Sequence, residues 1–588
     1  MTASATLNYG DSPTPRPAPR PRIWPGVAIV ILQWLIIKIP AYLWPQTMAH
    51  FMCMFWGPIA GFVAILIWWL GFSRFPWPVR RLGLIPLLLE PVLGFVAAHP
   101  SMRMGMSVIA LPVATSVFVG WVVIAEYLLR GKMLRAGLVI APLLAWGFFT
   151  LLRMDGLTGS IHAETSWRFG PTAEEKFLAK IAKDPSLAGK MSSATKPSEL
   201  TLSPGDWPAF RGPNRDGKLT GVTLTQTDWT NHPPKLAWKH LIGPGWGSFS
   251  VIGNHVFTQE QRGPVEMVSC YDLNTGDEIW AHDNAERFEE TMGGVGPRAT
   301  PTFADGKLYT LGATGRLNCL NPATGKVIWS RKVTDDTGAA VPMWGFSASP
   351  LVNDGSVIVM TGGKGKSVIA YDQTTGNPQW SAGDGWSYAS IQKSKIDGVE
   401  QLLAVTNGGM YALDPHTGHI LWQHDFSIGG GNRVIQPAIL NGNDLLLGAA
   451  FGYGTRKIHV THTGNTWKNQ TVWTTKSIQP YYNDLVIHKG NIYGFDGDVF
   501  CCINPDTGQS RWRQRGFGNG QVLLIADQGL LLILSEQGEV ALAEANPDGY
   551  HELGRFQAVN GKTWNHPVIA HGKLLVRNGE DIACYEVK

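Results

Sequence analysis

Charge is scarce in this chain. Asp, Glu, Lys and Arg make up 16% of its 588 residues, and the net charge is only +4. That balance gives no argument for nucleic acid as a partner. Cysteine is scarce too. Of six, Cys53 lies in an apolar segment and the other five lie from Cys270 onward. No Cys-x-x-Cys-His is present for haem attachment. Nor is there a His/Cys spacing suited to zinc, a Ser–His–Asp order or a phosphate-binding glycine loop. His416 and His419 stand three apart, but on a turn, where solvation is their ordinary fate. What the chain has in quantity is glycine (68) and tryptophan (24), as a fold made of many turns with regularly placed aromatic anchors requires.

The charge deficit is concentrated in the first 150 residues. Residues 1–22 form a basic tail rich in Pro and Arg. After it, apolar stretches near 24–45, 52–72, 82–98, 105–127 and 134–152 have the length of membrane spans, which predicts a five-span domain over 23–153. Arg16, Arg20 and Arg22 precede the first stretch. Arg74, Arg80 and Arg81 lie between the second and third, and Arg130, Lys132 and Arg135 between the fourth and fifth. The alternate loops hold few basic residues. This asymmetry predicts a cytoplasmic N-terminus, a multi-pass protein of the inner membrane, and an extracytoplasmic location for everything after residue 153. Lys38 and Glu90 fall inside apolar stretches. Lys38 is expected to reach the interface and Glu90 to bond a neighbouring helix, the functional alternative being a proton or quinone site.

Residues 154–204 read as a linker with one short helix. Thr172-Ala173-Glu174-Glu175 is a capping box, which predicts a helix to about Lys183. Ser192-Ser193-Ala194-Thr195-Lys196-Pro197 beyond it has the composition of a spacer.

From residue 205 the chain repeats. Cys270-Tyr271-Asp272 precedes Thr275-Gly276 and Trp280. Cys319-Leu320-Asn321 precedes Thr324-Gly325 and Trp329. Ala370-Tyr371-Asp372, Ala412-Leu413-Asp414 and Cys502-Ile503-Asn504 are followed in the same way by Thr-Gly and by Trp380, Trp422 and Trp512. Asp or Asn caps a turn through its side chain, glycine supplies the positive φ of a tight hairpin, and tryptophan on the next strand offers a broad apolar face. Ala299-Thr300-Pro301, Ala348-Ser349-Pro350, Gln436-Pro437-Ala438 and His566-Pro567-Val568 mark inner strands, with weaker versions near Ser248, Ser390, Asp484 and Gln521. Eight inner strands predict an all-β, eight-bladed propeller of four-stranded antiparallel blades over 205–588. The last blade stops one strand short. Residues 234–241 are the candidate to complete it and remove an open edge.

The repeat resembles that of PQQ-type (pyrroloquinoline quinone) propellers, which include quinoprotein dehydrogenases and BamB-type propellers. Trp207-Pro208-Ala209-Phe210 resembles the family's opening. The resemblance specifies the fold far more closely than the chemistry. For a dehydrogenase it implies PQQ with Ca²⁺, the ion held by a carboxylate and an Asn amide with an Asp as base. Glu289, Glu290 and Asp384 are the acidic residues near the channel mouth, and none stands in a matching motif. In methanol- and alcohol-type members an adjacent-cysteine disulfide lies over the cofactor. Here Cys502 shares the repeat position of Cys270, Cys319 and Cys584, so Cys501–Cys502 reads as packing. Trp246, Trp344, Trp386 and Trp564 sit off the repeat register, just before inner strands. With Arg298 and Arg433 they form the candidate binding set at the mouth, the alternative being blade packing at the rim. The expected function is a membrane-anchored binding or scaffold module with an envelope protein partner. The alternative is a PQQ-dependent membrane-bound quinoprotein dehydrogenase that oxidises a sugar or alcohol and passes electrons to ubiquinone, as membrane-bound glucose dehydrogenases of similar plan do. A sensor acting through the spans is a third reading.

Overall fold

The computed structural model describes residues 21–128, 132–183, 199–429 and 432–587. Nearly all of the basic tail, Arg130 and the spacer Ser192–Pro197 therefore lie outside the described residues. The chain divides into two compact units, Met1–Leu43 with Met52–Arg153, and Trp44–Phe51 with Met154–Lys588.

The first unit is helical. Among the described residues three helices are long and apolar enough to cross a membrane: Trp24–Leu43, Met48–Phe72 and Pro100–Tyr127. The expectation of five spans is corrected to three. The stretch read as the third span belongs to the helical run made of Trp77–Leu84, the π turn Ile85–Leu89 and Glu90–Ala97, which carries three charged residues, Arg80, Arg81 and Glu90. So many charges on one short helix are costly in lipid. The last apolar helix is Lys132–Thr150, of which Arg135–Thr150 is the apolar part. Lys38 is exposed, its ammonium 6.0 Å from the Trp34 ring. Glu90 is buried, and neither of its carboxylate oxygens has a hydrogen-bond partner, so the expected bond to a neighbouring helix is not made.

The second unit is an eight-bladed propeller. Its antiparallel four-stranded sheets follow one another in chain order, blade 1 starting with Ser250–Ile252 and blade 8 with Val568–Ala570. Blade 7 gains a fifth strand, because Lys218–Leu219 pairs parallel with Gln521–Ile525. Blade 8 combines three C-terminal strands with Lys235–Leu241, which pairs antiparallel with Asp581–Glu586. That pairing joins the two ends of the ring, so no blade is left with an open edge there.

The repeat residues act between blades. In blade 1, Asp272 accepts hydrogen bonds from the Asn274 and Thr275 amides at 2.8 and 2.9 Å, and Gly276 turns the chain at φ +76°. Trp280 stands opposite Cys270 in the ladder, a small residue beside a large one. Its ring lies against Gly325 of blade 2, and its indole N–H donates to the Pro322 carbonyl at 2.9 Å. Trp329 does the same to Gly376 and Gln373 of blade 3, and Trp473 to Gly508 and Pro505 of blade 6. Trp238, on the strand that closes blade 8, stands opposite Cys584 and covers Gly276, donating to Leu273 at 2.9 Å. The ring thus closes with the contact that builds it. Blade 5 departs from this pattern. Its outer pair is a long hairpin, Gly454–Thr463 with Thr466–Thr475, on whose turn glycine, Gly464, no ring lies, and Trp422 of blade 4 donates instead to Gln401 of blade 4.

Cys501 and Cys502 are free and buried in different clusters, Cys502 beside Tyr493 and Trp512, Cys501 beside Ile478 and Leu485. Adjacent strand residues face opposite ways, which separates the two thiols.

These contacts set an expectation for the turn glycines. A Cβ at Gly376 or Gly418 would come within 3.0 Å of a tryptophan ring, on backbone already at φ +72° or +71°. Gly376→Ala and Gly418→Ala should each destabilise by roughly 2–4 kcal/mol. Gly442→Ala, where a Cβ meets nothing within 4 Å, should be near neutral. Urea unfolding of the three variants checks this.

Candidate functional site

The site begins with the opening segment, 206–219. It does not lie on the rim. Trp207 exchanges backbone hydrogen bonds with Val251 of blade 1 at 2.8 and 2.9 Å, and the Pro208 carbonyl accepts from Phe303 of blade 2 at 2.8 Å. The Arg215 guanidinium donates to the Ser349 and Pro350 carbonyls leading into blade 3, at 3.0 and 2.9 Å. The Asn214 carbonyl accepts from Gln392 of blade 4 at 2.9 Å, and Arg211 donates to the Leu485 carbonyl entering blade 6 at 2.5 Å. With Lys218–Leu219 on blade 7 and Asp206 bonded to His571 of blade 8, one short segment ties seven blades together across the channel axis. Arg211 and Arg215 hold left-handed backbone (φ +62° and +56°) to do so.

Around this plug, each blade contributes one polar side chain where its inner strand begins: Ser248, Thr300, Ser349, Ser390, Gln436, Asp484, Gln521 and His566. Several are linked in sequence. The Ser248 amide donates to Thr300 Oγ1, the Thr300 amide to Ser349 Oγ and the Ser349 amide to Ser390 Oγ, at 2.9, 2.9 and 2.8 Å. The Gln436 amide donates to Asp484 Oδ1 at 2.8 Å.

Above the ring of polar groups lies a cavity of about 370 Å³. Its wall is an unbroken series of ring contacts. Trp246 meets Trp564 at 4.8 Å, Trp564 meets Tyr482 at 5.0 Å, and Tyr482 meets Tyr481 at 5.0 Å. Tyr481 meets Trp344 at 6.2 Å, and Trp344 meets Tyr388 at 5.2 Å. Phe210 of the plug and His566 meet edge to face at 6.1 Å.

Four of the six residues singled out from sequence line this cavity: Trp246, Arg298, Trp344 and Trp564. Trp386 and Arg433 do not. Trp386 packs edge-on behind Tyr388. Arg433 is buried, its guanidinium on the Phe426 ring and hydrogen-bonded to the Phe426 carbonyl, so it braces blades rather than facing the cavity. Arg298 lines the wall but is also engaged, stacked 4.5 Å over Phe288 and donating to the Gly294 and Gly296 carbonyls.

The carboxylates are equally committed. Glu290 accepts from the amides of its own turn, Met292 and Gly293, and pairs with Arg298 at 3.4 Å. Asp484 pairs with Arg211 at 3.6 Å. Glu289 pairs with Arg287, and Asp384 is exposed, accepting from the Gly365 amide. Among the described residues no group of three His, Cys, Asp or Glu side chains could hold a metal ion.

Sequence reading missed what lies over the mouth. The first part of the stretch read as linker is a hairpin, Leu152–Leu157 with Ala163–Trp167. Its tip, with Leu157, Thr158, Gly159 and Ile161, lines the cavity. Glu536 accepts from the Gly159 amide at 2.5 Å and from Trp564 Nε1 at 2.8 Å. Lys562 donates to the Asp155 and Leu157 carbonyls, pairs with Glu164 at 3.1 Å, and sits 4.9 Å over Trp564 and 5.6 Å over Trp246. The helix Ala173–Lys183 follows, capped reciprocally by Thr172 and Glu175, and Glu174 pairs with Arg287 of the propeller at 2.9 Å. No periodicity marked the hairpin. Gly156 and Gly159 within a polar run were its only local signal.

A family model described as "Outer membrane protein assembly factor BamB" matches residues 265–514. The chain is 22% identical over 369 residues to the outer membrane protein assembly factor BamB of Yersinia pestis, covering 58% of this chain and 86% of that protein. It is 22% identical over 337 residues to the dehydrogenase subunit of the alcohol dehydrogenase (quinone) of Gluconobacter oxydans, covering 50% of this chain and 39% of that protein. The crystal structure of BamB from Moraxella catarrhalis aligns at 16% identity with a TM-score of 0.44, over 60% of this chain and 99% of that one. The propeller is thus similar to those of BamB and of quinoprotein dehydrogenases.

Two buried groups of the propeller titrate in opposite senses. Burial pushes Glu266 up to about 7, with Glu286 adding to the shift and the Ala313 amide, Arg298 and Lys332 opposing it. Burial, with Arg211 nearby, pushes His566 down to about 3. The Glu266 contribution to stability is complete below about pH 4.5 and is lost as pH rises to 7, because the unfolded chain releases that proton first. The His566 contribution is complete above about pH 6.5 and is lost as pH falls towards 3, because the unfolded chain protonates first. Each slope is roughly 1.4 kcal/mol per pH unit. Relative to the parent, Glu266→Gln should gain stability as pH rises from about 4.5 to 6.5, and His566→Gln should lose it. Urea unfolding at three pH values reads both, and slopes equal to the parent's would contradict the assignment.

Proposed function

We propose that this chain is a membrane-anchored, extracytoplasmic β-propeller that acts as a binding and scaffold module in the cell envelope. The observation that carries this reading is the state of the mouth. Glu290 and Asp484 are paired with arginines, Glu536 is taken up by the Gly159 and Asn519 amides and the Trp564 indole, and the arginines brace the wall. Residues arranged in this way do not fit a calcium ion held by a carboxylate and an amide, so the quinone cofactor has no cation to orient it. The similarity to BamB supports the same reading. The similarity to the quinone alcohol dehydrogenase subunit favours the second one, a PQQ-dependent dehydrogenase, for which the donor set is the obstacle.

The orientation is part of the proposal. Arg22 before the first long helix, and Arg74, Arg80 and Arg81 after the second, support a cytoplasmic side for both. Three crossings then carry residues after 153 outward.

Calorimetric titration of the full chain with PQQ, with and without Ca²⁺, is expected to give no binding in the micromolar range. Cross-linking in envelope membranes is expected to join the propeller to a discrete protein. Calcium-dependent binding at micromolar affinity or tighter would replace this reading with the dehydrogenase.

A further inference from the structure

Much of the polar chemistry at the mouth is already spent on the protein itself. Glu290 pairs with Arg298 and Asp484 with Arg211, and Glu536 accepts from the Gly159 and Asn519 amides and the Trp564 indole. The small hydroxyls are engaged with backbone. Ser248 Oγ donates to the His566 carbonyl and Ser347 Oγ to the Tyr388 carbonyl, while Thr300, Ser349 and Ser390 each accept from an amide of the preceding blade. An ionised ligand would lose its hydration here without gaining a counter-ion.

What the cavity has to offer is apolar surface. The ring series from Trp246 to Tyr388 runs around it with neighbouring planes inclined by 33° to 69°. Rings at such angles receive a flat molecule by its face on one side and by its edge on another. Leu157 and Ile161 of the hairpin tip add apolar side chains to the lining. So do Met48 and Phe51, from the segment Trp44–Phe51 that belongs to the same compact unit. Gln46 of that segment donates to Ser160 of the hairpin at 3.2 Å, which joins the two. Protein interiors close-pack apolar side chains against one another. Here the aromatic series surrounds a cavity of about 370 Å³ in place of a core, a volume that suits about two or three fused rings.

We propose that the channel mouth is a binding site for an uncharged, flat, apolar small molecule, taken up beneath the hairpin tip and held by contacts with the aromatic wall. This goes beyond the scaffold reading and does not depend on it. The hairpin is fastened to the same wall. Glu536 bonds both Gly159 and Trp564, and Lys562 lies over Trp246 and Trp564 while donating to the Asp155 and Leu157 carbonyls.

The test uses the full chain in detergent and two aryl azides of one ring system, 1-azidonaphthalene and 5-azidonaphthalene-1-sulfonate. After photolysis, labelled peptides are mapped by mass spectrometry. The uncharged azide should label the peptides holding Trp344, Tyr481–Tyr482 and residues 155–163 along a saturation curve with its midpoint at roughly 10–100 μM. Its labelling of the apolar helices should instead rise in proportion to concentration. The sulfonate should label the mouth peptides about tenfold less, the factor expected when one unpaired charge is buried. Val434 lines the cavity and is half-buried. Val434→Trp places a ring in that space and should cut mouth labelling about fivefold without changing helix labelling. Leu157→Trp fills the cavity from the hairpin tip, and takes its place should Val434→Trp lower the unfolding transition. Mouth labelling that does not saturate, that the sulfonate matches, or that both filling variants leave unchanged would overturn the proposal. None of these outcomes bears on the scaffold reading, which stands or falls on the calorimetric titration and the protein adduct.

Discussion

The contact on which this propeller depends is a tryptophan ring laid on a turn glycine of the next blade. A hydrogen atom at that position, in place of a methyl, lets the ring approach. The indole N–H then satisfies a carbonyl of the same turn, as Trp280 does with Pro322 and Trp238 with Leu273. Burial of a large apolar face and a directed hydrogen bond are obtained together. A small residue stands opposite six of the tryptophans, Cys270, Cys319, Ala370, Ala412, Cys502 and Cys584, while Lys457 stands opposite Trp473, whose ring still lies on Gly508, so a small partner accompanies the contact without being required by it. Five of the chain's six cysteines stand in the repeats, four of them at this position, and no redox role is needed to explain those four.

Inside the ring a second constraint applies. Eight inner strands converge on an axis that cannot be left as a column of unpaired polar groups. The segment 206–219 solves this by running into the channel, where Arg211 and Arg215 supply donors to backbone carbonyls of several blades at once. Burying two guanidinium groups there needs compensation, and Asp484 provides part of it. The plug determines the depth of the cavity, and its charges are consumed in holding it. The aromatic mouth above is left without free charge as a result.

The similarity to two functional classes is consistent with this division of labour. The repeat chemistry lies in the Thr-Gly turns and the outer strands, far from the mouth, and any chain that keeps it will resemble both BamB and quinoprotein dehydrogenases. What lines and covers the channel is set by other residues. Here that is the aromatic series from Trp246 to Tyr388, the paired Glu290 and Asp484, and a hairpin clamped by Glu536 and Lys562.

The amino-acid sequence by itself determined the propeller, its blade number and the reason for its cysteines, because a repeat states its local rule several times over and each copy checks the others. It also marked Trp246, Arg298, Trp344 and Trp564, which stand off the repeat register. It could not separate these from Trp386 and Arg433, since all six precede inner strands and only packing decides which face the cavity. Tyr482, Phe210 and His566 join the site from separate parts of the chain, and the hairpin reaches it from more than 350 residues away in sequence from its clamp, Glu536. Such juxtapositions have no local signature. The span count fell from five to three for a related reason. Apolar composition is local, but that Arg80, Arg81 and Glu90 all fall on one helical run follows only from the bounds of that run, Trp77–Leu84 through Glu90–Ala97. Pairing of charges, the property that most shapes what the mouth can bind, was likewise decided by the tertiary structure alone, because a carboxylate's partner is chosen by distance in space.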